Sequence, residues 1–472
     1  MIAGGARRVL GAAALLLLPL GAARAQETPA PLALVGATLV DGTGGAPVRD
    51  AVVVTRAGRI VCAGTRAACP VPAGTATRDV AGRWIIPGLV DGHVHYSQTG
   101  WTDGRPDQGD DLRGRYPYAA VVAENRANPD RYYRAYLCAG VTATWDVGGF
   151  PWTWDLRADA ERRTDAPHVA AAGPLISARD HWLNTPAERQ FVFMSSVPAV
   201  DSAALYVAAS KSDAVKVWYL VTEAMPGREA YQEMIRVAGR RAAETDIPLI
   251  VHATTLWAAK DALAAGAKHL VHSVDDAAVD DEFLRMALAN GTSYNPTLVV
   301  SPNVGTFGAR LFDEQAQPLA CVDPDTRAKA RLTSTLPPRL TPEQIAAATA
   351  RRARSREVMF ENLRRVHGAG IPVVMGTDAG NTHSLHGVSV WMEMEAMQDA
   401  GLTPMDVLVA STRNGARAMG RGDDLGTIEA GKIADLVVLG ADPLADIANV
   451  RRVEAVMRGG RLRDRSELEF PR

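Results

Sequence analysis

Gly88-Leu89-Val90-Asp91-Gly92-His93-Val94-His95 decides how the rest of this 472-residue chain is read. It closes an apolar run that opens at Trp84-Ile85-Ile86-Pro87. Its two histidines are one residue apart, so on a strand both side chains leave by the same face. Four more positions repeat the arrangement of an apolar run followed by a chemistry-bearing residue. Ala214-Val215 precedes Lys216, Pro248-Leu249-Ile250-Val251 precedes His252, Leu270-Val271 precedes His272, and Ile371-Pro372-Val373-Val374 precedes Gly376-Thr377-Asp378. Short continuous apolar runs read as strands buried on both faces. With Val141-to-Val147, Val169-to-Gly173 and Tyr294-to-Val300 they number eight, near 88, 142, 169, 215, 250, 270, 296 and 374. Helical stretches such as 228–245 and 341–368 separate them, the latter opening on Thr341-Pro342-Glu343, a cap with proline in the first turn. The pattern predicts an α/β chain with a (β/α)8 barrel, whose chemistry gathers at the strand C-terminal ends.

Outside that stretch the texture changes. Leu32-to-Val40, Ala51-to-Thr55 and Arg59-to-Gly64 are short strands set between turn clusters such as Asp41-Gly42-Thr43-Gly44-Gly45. The same texture returns in Gly426-to-Leu439 and Val453-to-Met457. Residues 26–83 and 421–472 are therefore expected to form one small β-sandwich domain from both termini, around a barrel at 84–420. Residues 302–340 lack periodicity and read as a long lid over the barrel mouth.

Composition is that of an ordinary soluble protein, 47% hydrophobic and 22% charged. A formal charge of −2 without a long Lys/Arg run argues against nucleic-acid binding. Residues 1–25 read as a cleaved export signal: Arg7-Arg8, an apolar stretch from Val9 to Ala22, then Ala23-Arg24-Ala25. The mature chain is thus expected in the periplasm or outside the cell, with no membrane association after cleavage. There Cys62 and Cys69 are close enough to bridge across a hairpin; the alternative is that all four cysteines are small buried apolar residues.

At the strand ends the chemistry points to a metal. Two histidines on one inner face are hard to satisfy without a cation, whereas a lone one is usually structural. A lysine inside a buried strand is costly. Lys216 either pairs with an acid or, with its pKa lowered, reacts as a neutral amine with carbon dioxide to give an anionic carbamate ligand. His252 and His272 end consecutive strands, and His269, of opposite direction on its strand, reads as structural. Asp378 is either a helix cap or a metal ligand and proton shuttle. Tyr219, His383 and His386 are candidates for substrate contact, against packing or solvated-loop readings.

The Gly88-to-His95 stretch resembles the first-strand signature of the metal-dependent amidohydrolase superfamily, and the Asp41-Gly42-Thr43-Gly44 and Gly426-to-Leu439 segments resemble its composite β-domain. The resemblance implies a TIM barrel with two divalent metal ions, zinc by donor type. His93 and His95 would bind one, His252 and His272 the other, carboxylated Lys216 would bridge them, and Asp378 would complete the first site. A lysine on the fourth strand is similar to the branch of Xaa-Pro dipeptidases and metallocarboxypeptidases. The activity implied is hydrolysis of C–N bonds in a small-molecule amide or dipeptide by a metal-bridging hydroxide. Trp218-Tyr219-Leu220 departs from the glycine-containing continuation of those peptidases. The alternatives are a one-metal cyclic-amide hydrolase or deaminase similar to imidazolonepropionase, and a non-catalytic scaffold. A homo-oligomer is compatible with the sequence.

Overall fold

The computed structural model describes residues 28–180 and 183–471; the expected export signal at 1–25 lies outside them. Both ends of the chain meet in one eight-stranded sheet. Leu436–Leu439 runs antiparallel to Trp84–Pro87, with Leu436 opposite Pro87 and Leu439 opposite Trp84. The C-terminal strands continue the sheet at Trp84–Pro87, and its far edge returns to them: Ile60 N donates to Lys432 O and Gly431 N to Ile60 O, each at 2.9 Å. One face buries Leu34, Val53, Ile85, Leu436, Val438 and Met457 together. On the other, Ala33, Val52 and Val54 pack with Cys69, which is bonded to Cys62.

Between those ends the chain is a mixed α/β structure with two parallel sheets. Leu89–Val94, Val141–Asp146 and His168–Ala171 form the first; Leu175–Ser177, Phe191–Phe193, Val215–Trp218, Leu249–His252, His269–Val271 and Ser293–Asn295 form the second. Among the described residues these pairings do not close into a ring. The eighth apolar run makes single parallel bridges instead, Val373 to Tyr294 at one sheet's edge and Ala379 to Val94 at the other's. Pro372 lacks a donor for a regular ladder. Its carbonyl accepts from Tyr294 N at 2.9 Å, and Val374 N donates to Tyr294 O at 2.9 Å. Two glycines allow the close approach: a Cβ on Gly92 would lie 2.6 Å from Val374 Cγ1, and one on Gly376 would lie 2.8 Å from His93 Cβ.

Helices Arg228–Glu244 and Pro342–Gly368 flank these strands, the latter closed at its start by a capping box between Thr341 and Gln344. The segment 302–340, expected to be a long lid without periodicity, is largely helical. It holds most of Val300–Gly308 and all of Pro324–Leu332, the second capped by Asp323 with Pro324 at its first position. Cys321 is bonded to Cys138, and Lys329 Nζ lies 2.9 Å from Asp103 Oδ1. No described helix is long and apolar enough to cross a membrane.

Candidate metal centre

The six residues singled out at the strand ends line one cavity of about 320 Å³. His93 and His95 leave Leu89–Val94 and the residue after it; Lys216 lies within Val215–Trp218, and His252 ends Leu249–His252. His272 follows His269–Val271 and Asp378 follows the eighth run, and both take left-handed backbone at φ 73° and 57°. For residues with a Cβ this costs on the order of 1–3 kcal/mol, a strain that gathers at functional sites. Asp378 is held there by its N–H, which donates to His93 O at 2.8 Å, while His95 N donates to Ala379 O at 2.7 Å. Strand one and the eighth run are thus tied at the point where their side chains meet.

His93 Nε2 lies 3.3 Å and His95 Nε2 3.0 Å from Asp378 Oδ1, and all three residues are buried. His95 Nδ1 is 2.6 Å from Gly148 O, an acceptor only, so this nitrogen carries the proton and Nε2 is left with its lone pair. Asp378 Oδ1 has no hydrogen-bond partner. Its other oxygen accepts from Asn381 Nδ2 at 2.8 Å. Three donor atoms within 4.8 Å of one another, one an orphaned carboxylate oxygen, fit a divalent cation. The His252 and His272 rings pack beside them, centroids 4.3 Å apart, with His272 Nδ1 fixed at 2.7 Å from Thr297 Oγ1. Such a partner on the second ring nitrogen is how metal-ligating imidazoles are oriented.

Lys216 is 2% exposed and makes no ion pair within 4 Å among the described residues, unlike an ordinary buried lysine. Burial pulls its ammonium down to about 7, against the pull of Asp378 and Asp146. His252 is likewise held neutral, lowered to about 3 by burial and by Lys216.

Three expected substrate contacts are not placed on the cavity. Tyr219 is buried with its hydroxyl donating to Asp261 Oδ2 at 3.1 Å. His383 is pinned between Thr306 Oγ1 at 3.1 Å and Thr333 Oγ1 at 3.0 Å. His386 spans Tyr136 Oη and Gln98 O, each at 2.8 Å, against the Tyr132 ring. The polar side-chain atoms of all three are hydrogen-bonded within the protein. His269, read as structural, is buried against Trp145 with Nδ1 2.7 Å from Ser293 Oγ.

Other residues at the site carried no role in the sequence reading. Asp91 accepts from Thr377 Oγ1 at 2.6 Å, Thr377 N at 3.0 Å and His93 N at 3.3 Å, clamping strand one to the turn that presents Asp378. Burial raises its carboxyl to about 7, opposed by those bonds. Strand parity could have flagged it, since positions 91, 93 and 95 share a face. Arg105, Asp107, Asn381 and Asp275 lie on loops, where no periodicity marks them.

The amidohydrolase family model matches residues 84–463 of this chain. An imidazolonepropionase of Methylobacterium nodulans is 28% identical over 396 residues, covering 83% of this chain and 88% of that protein. An imidazolonepropionase of Aromatoleum aromaticum is 40% identical, but over 93 residues, 22% of its own length. Among solved structures, a Xaa-Pro dipeptidase with bound methionine in the active site has a TM-score of 0.66 at 21% identity, covering 92% of this chain and 100% of that one. A. niger ochratoxinase has a TM-score of 0.67 at 19% identity, covering 92% and 96%. At such identities the structural likeness speaks for the fold.

Proposed function

The chain belongs to the amidohydrolase family, and from that premise we propose that it is a binuclear metal-dependent hydrolase cleaving C–N bonds of dipeptides or N-acyl amino acids. The observation that carries the reading is Lys216, buried on the cavity wall with four imidazoles and Asp378 and with no ion pair within 4 Å among the described residues. His93, His95 and Asp378 would hold one cation, His252 and His272 the other, and Lys216 as its carbamate would bridge them. Two zinc ions there would supply Lewis acidity, making water a nucleophile near neutral pH and polarising the scissile carbonyl. Asp378, turned toward the cavity by its left-handed backbone and by Asn381, takes the proton from the attacking water and delivers it to the departing amine. Asp91 and Thr377 keep that carboxylate in register with the histidines. In the same reading the two parallel sheets are arcs of one (β/α)8 barrel spanning 84–420, and 26–83 with 421–472 form the β-domain. Two disulfides support export after cleavage at Ala25.

A second reading, a one-metal cyclic-amide hydrolase or deaminase, draws on the likeness to an imidazolonepropionase over 83% of this chain. Metal content separates the two. Elemental analysis of protein loaded with zinc should give two ions per chain, with turnover of dipeptides or N-acyl amino acids. Full activity with one tightly bound ion would remove the binuclear reading in favour of the second.

A further inference from the structure

Apart from the proposed ligands, three charged residues among those described line the cavity: Arg105, Asp107 and Asp275. The first two neutralise each other. Arg105 Nε and Nη2 donate to the two carboxylate oxygens of Asp107 at 3.0 and 2.6 Å, and Nη1 donates to Gln98 Oε1 and, at 3.4 Å, to Asn381 Oδ1. That guanidinium has little left to offer a substrate. Asp275 differs. It lies three residues beyond His272 on the same strand exit, where its backbone N donates to Thr254 O at 2.9 Å. Among the described residues its carboxylate makes no ion pair and accepts from no other residue; its one hydrogen bond is to its own backbone N–H. Neighbouring Asp276, by contrast, is spent on Leu256 N at 2.9 Å, at the start of a helix. Asp275 is half-buried, and burial and the like charge of Asp276 hold its carboxyl above the ordinary range. An unpaired carboxylate partly withdrawn from water is costly unless something cationic completes it. The same cavity is lined by the apolar side chains of Trp218, Phe191, Val300 and Met359.

We propose that Asp275 selects substrates carrying a cationic group on an apolar stem, the ammonium or guanidinium pairing with its carboxylate while the stem lies along the apolar wall. This rests on the hydrolase reading above and names its substrate class. The cation has two sources, a basic side chain on the leaving amino acid or a free α-amino group on the acyl side.

Both are tested with zinc-loaded protein by kcat/KM on matched pairs: N-acetyl-lysine against N-acetyl-norleucine for the first, Ala-Leu against N-acetyl-Ala-Leu for the second. The wild type should favour the cationic partner in one pair by about 10-fold or more, as one charge-assisted bond provides. Asp275→Asn, nearly isosteric, should abolish that ratio, and Asp275→Lys should turn it toward a glutamate-bearing substrate. Calorimetric binding of lysine against norleucine, and of norleucine against N-acetyl-norleucine, reads the same selectivity without turnover. A protein that binds the cationic partner preferentially through Asp275 yet cleaves none of these compounds would overturn the hydrolase reading alone. Equal affinity and kcat/KM within both pairs, or a preference that survives Asp275→Asn, would overturn the role of Asp275.

Discussion

In the proposed reading, Lys216 and Asp378 carry the chemistry at the scale of single residues. Lys216→Ala should lower metal content and turnover together, because two close cations without a shared anion repel each other. If the residue is a carbamate ligand, acetate or propionate should restore part of the activity, and Lys216→Glu should retain more than Lys216→Arg. An arginine variant outperforming glutamate, with no rescue by carboxylates, would make Lys216 structural. Asp378→Asn keeps the side chain's size and its contact with Asn381 but removes the proton acceptor. Turnover in steady-state assays should fall by roughly 100-fold or more, the usual cost of losing a general acid-base; unchanged turnover would reduce Asp378 to a turn residue.

The disulfides act at the scale of elements. Cys138–Cys321 closes a loop of sequence separation 183 and fixes the helical segment before Pro342 onto the helix Asp130–Cys138. Cys62–Cys69 closes a separation of 7. In the chain-entropy view the longer loop gives the larger stabilisation, within about 2–5 kcal/mol for a native bridge. Denaturant midpoints should therefore drop further for the Cys138→Ala, Cys321→Ala pair than for Cys62→Ala with Cys69→Ala. An equal drop would mean that local packing, not loop closure, sets the cost. The helix at Pro324–Leu332 was legible in principle, since Asp323-Pro324 is a cap with a first-turn proline. It is too short, and its neighbours too irregular, for periodicity to reveal it.

Across the whole molecule, two half-sites from distant strands must be bound in one place for the metal centre to exist. Stripping the ions should lower the thermal midpoint of the intact protein, and zinc should restore it. The effect is on the order of 4 kcal/mol when free zinc exceeds its dissociation constant a thousandfold. A midpoint unmoved by a chelator that removes all metal would mean that the site contributes nothing to the folded state's stability.

The sequence by itself determined the alternation of buried strands and helices, the strand ends on which His93, His95, Lys216, His252 and His272 stand, and the β-texture of both termini. Those are local properties: periodicity, caps and apolar runs are written within a few neighbouring residues. Only the tertiary structure decided that Leu436–Leu439 would pair with Trp84–Pro87, joining both termini in one sheet. Only it gave the polar atoms of Tyr219, His383 and His386 partners within the protein, and brought Asn381 and Asp275 to the cavity from loops that no periodicity marks. Edge pairing, loop placement and hydrogen-bond partners depend on residues hundreds of positions apart, and no local signal specifies which of them will meet.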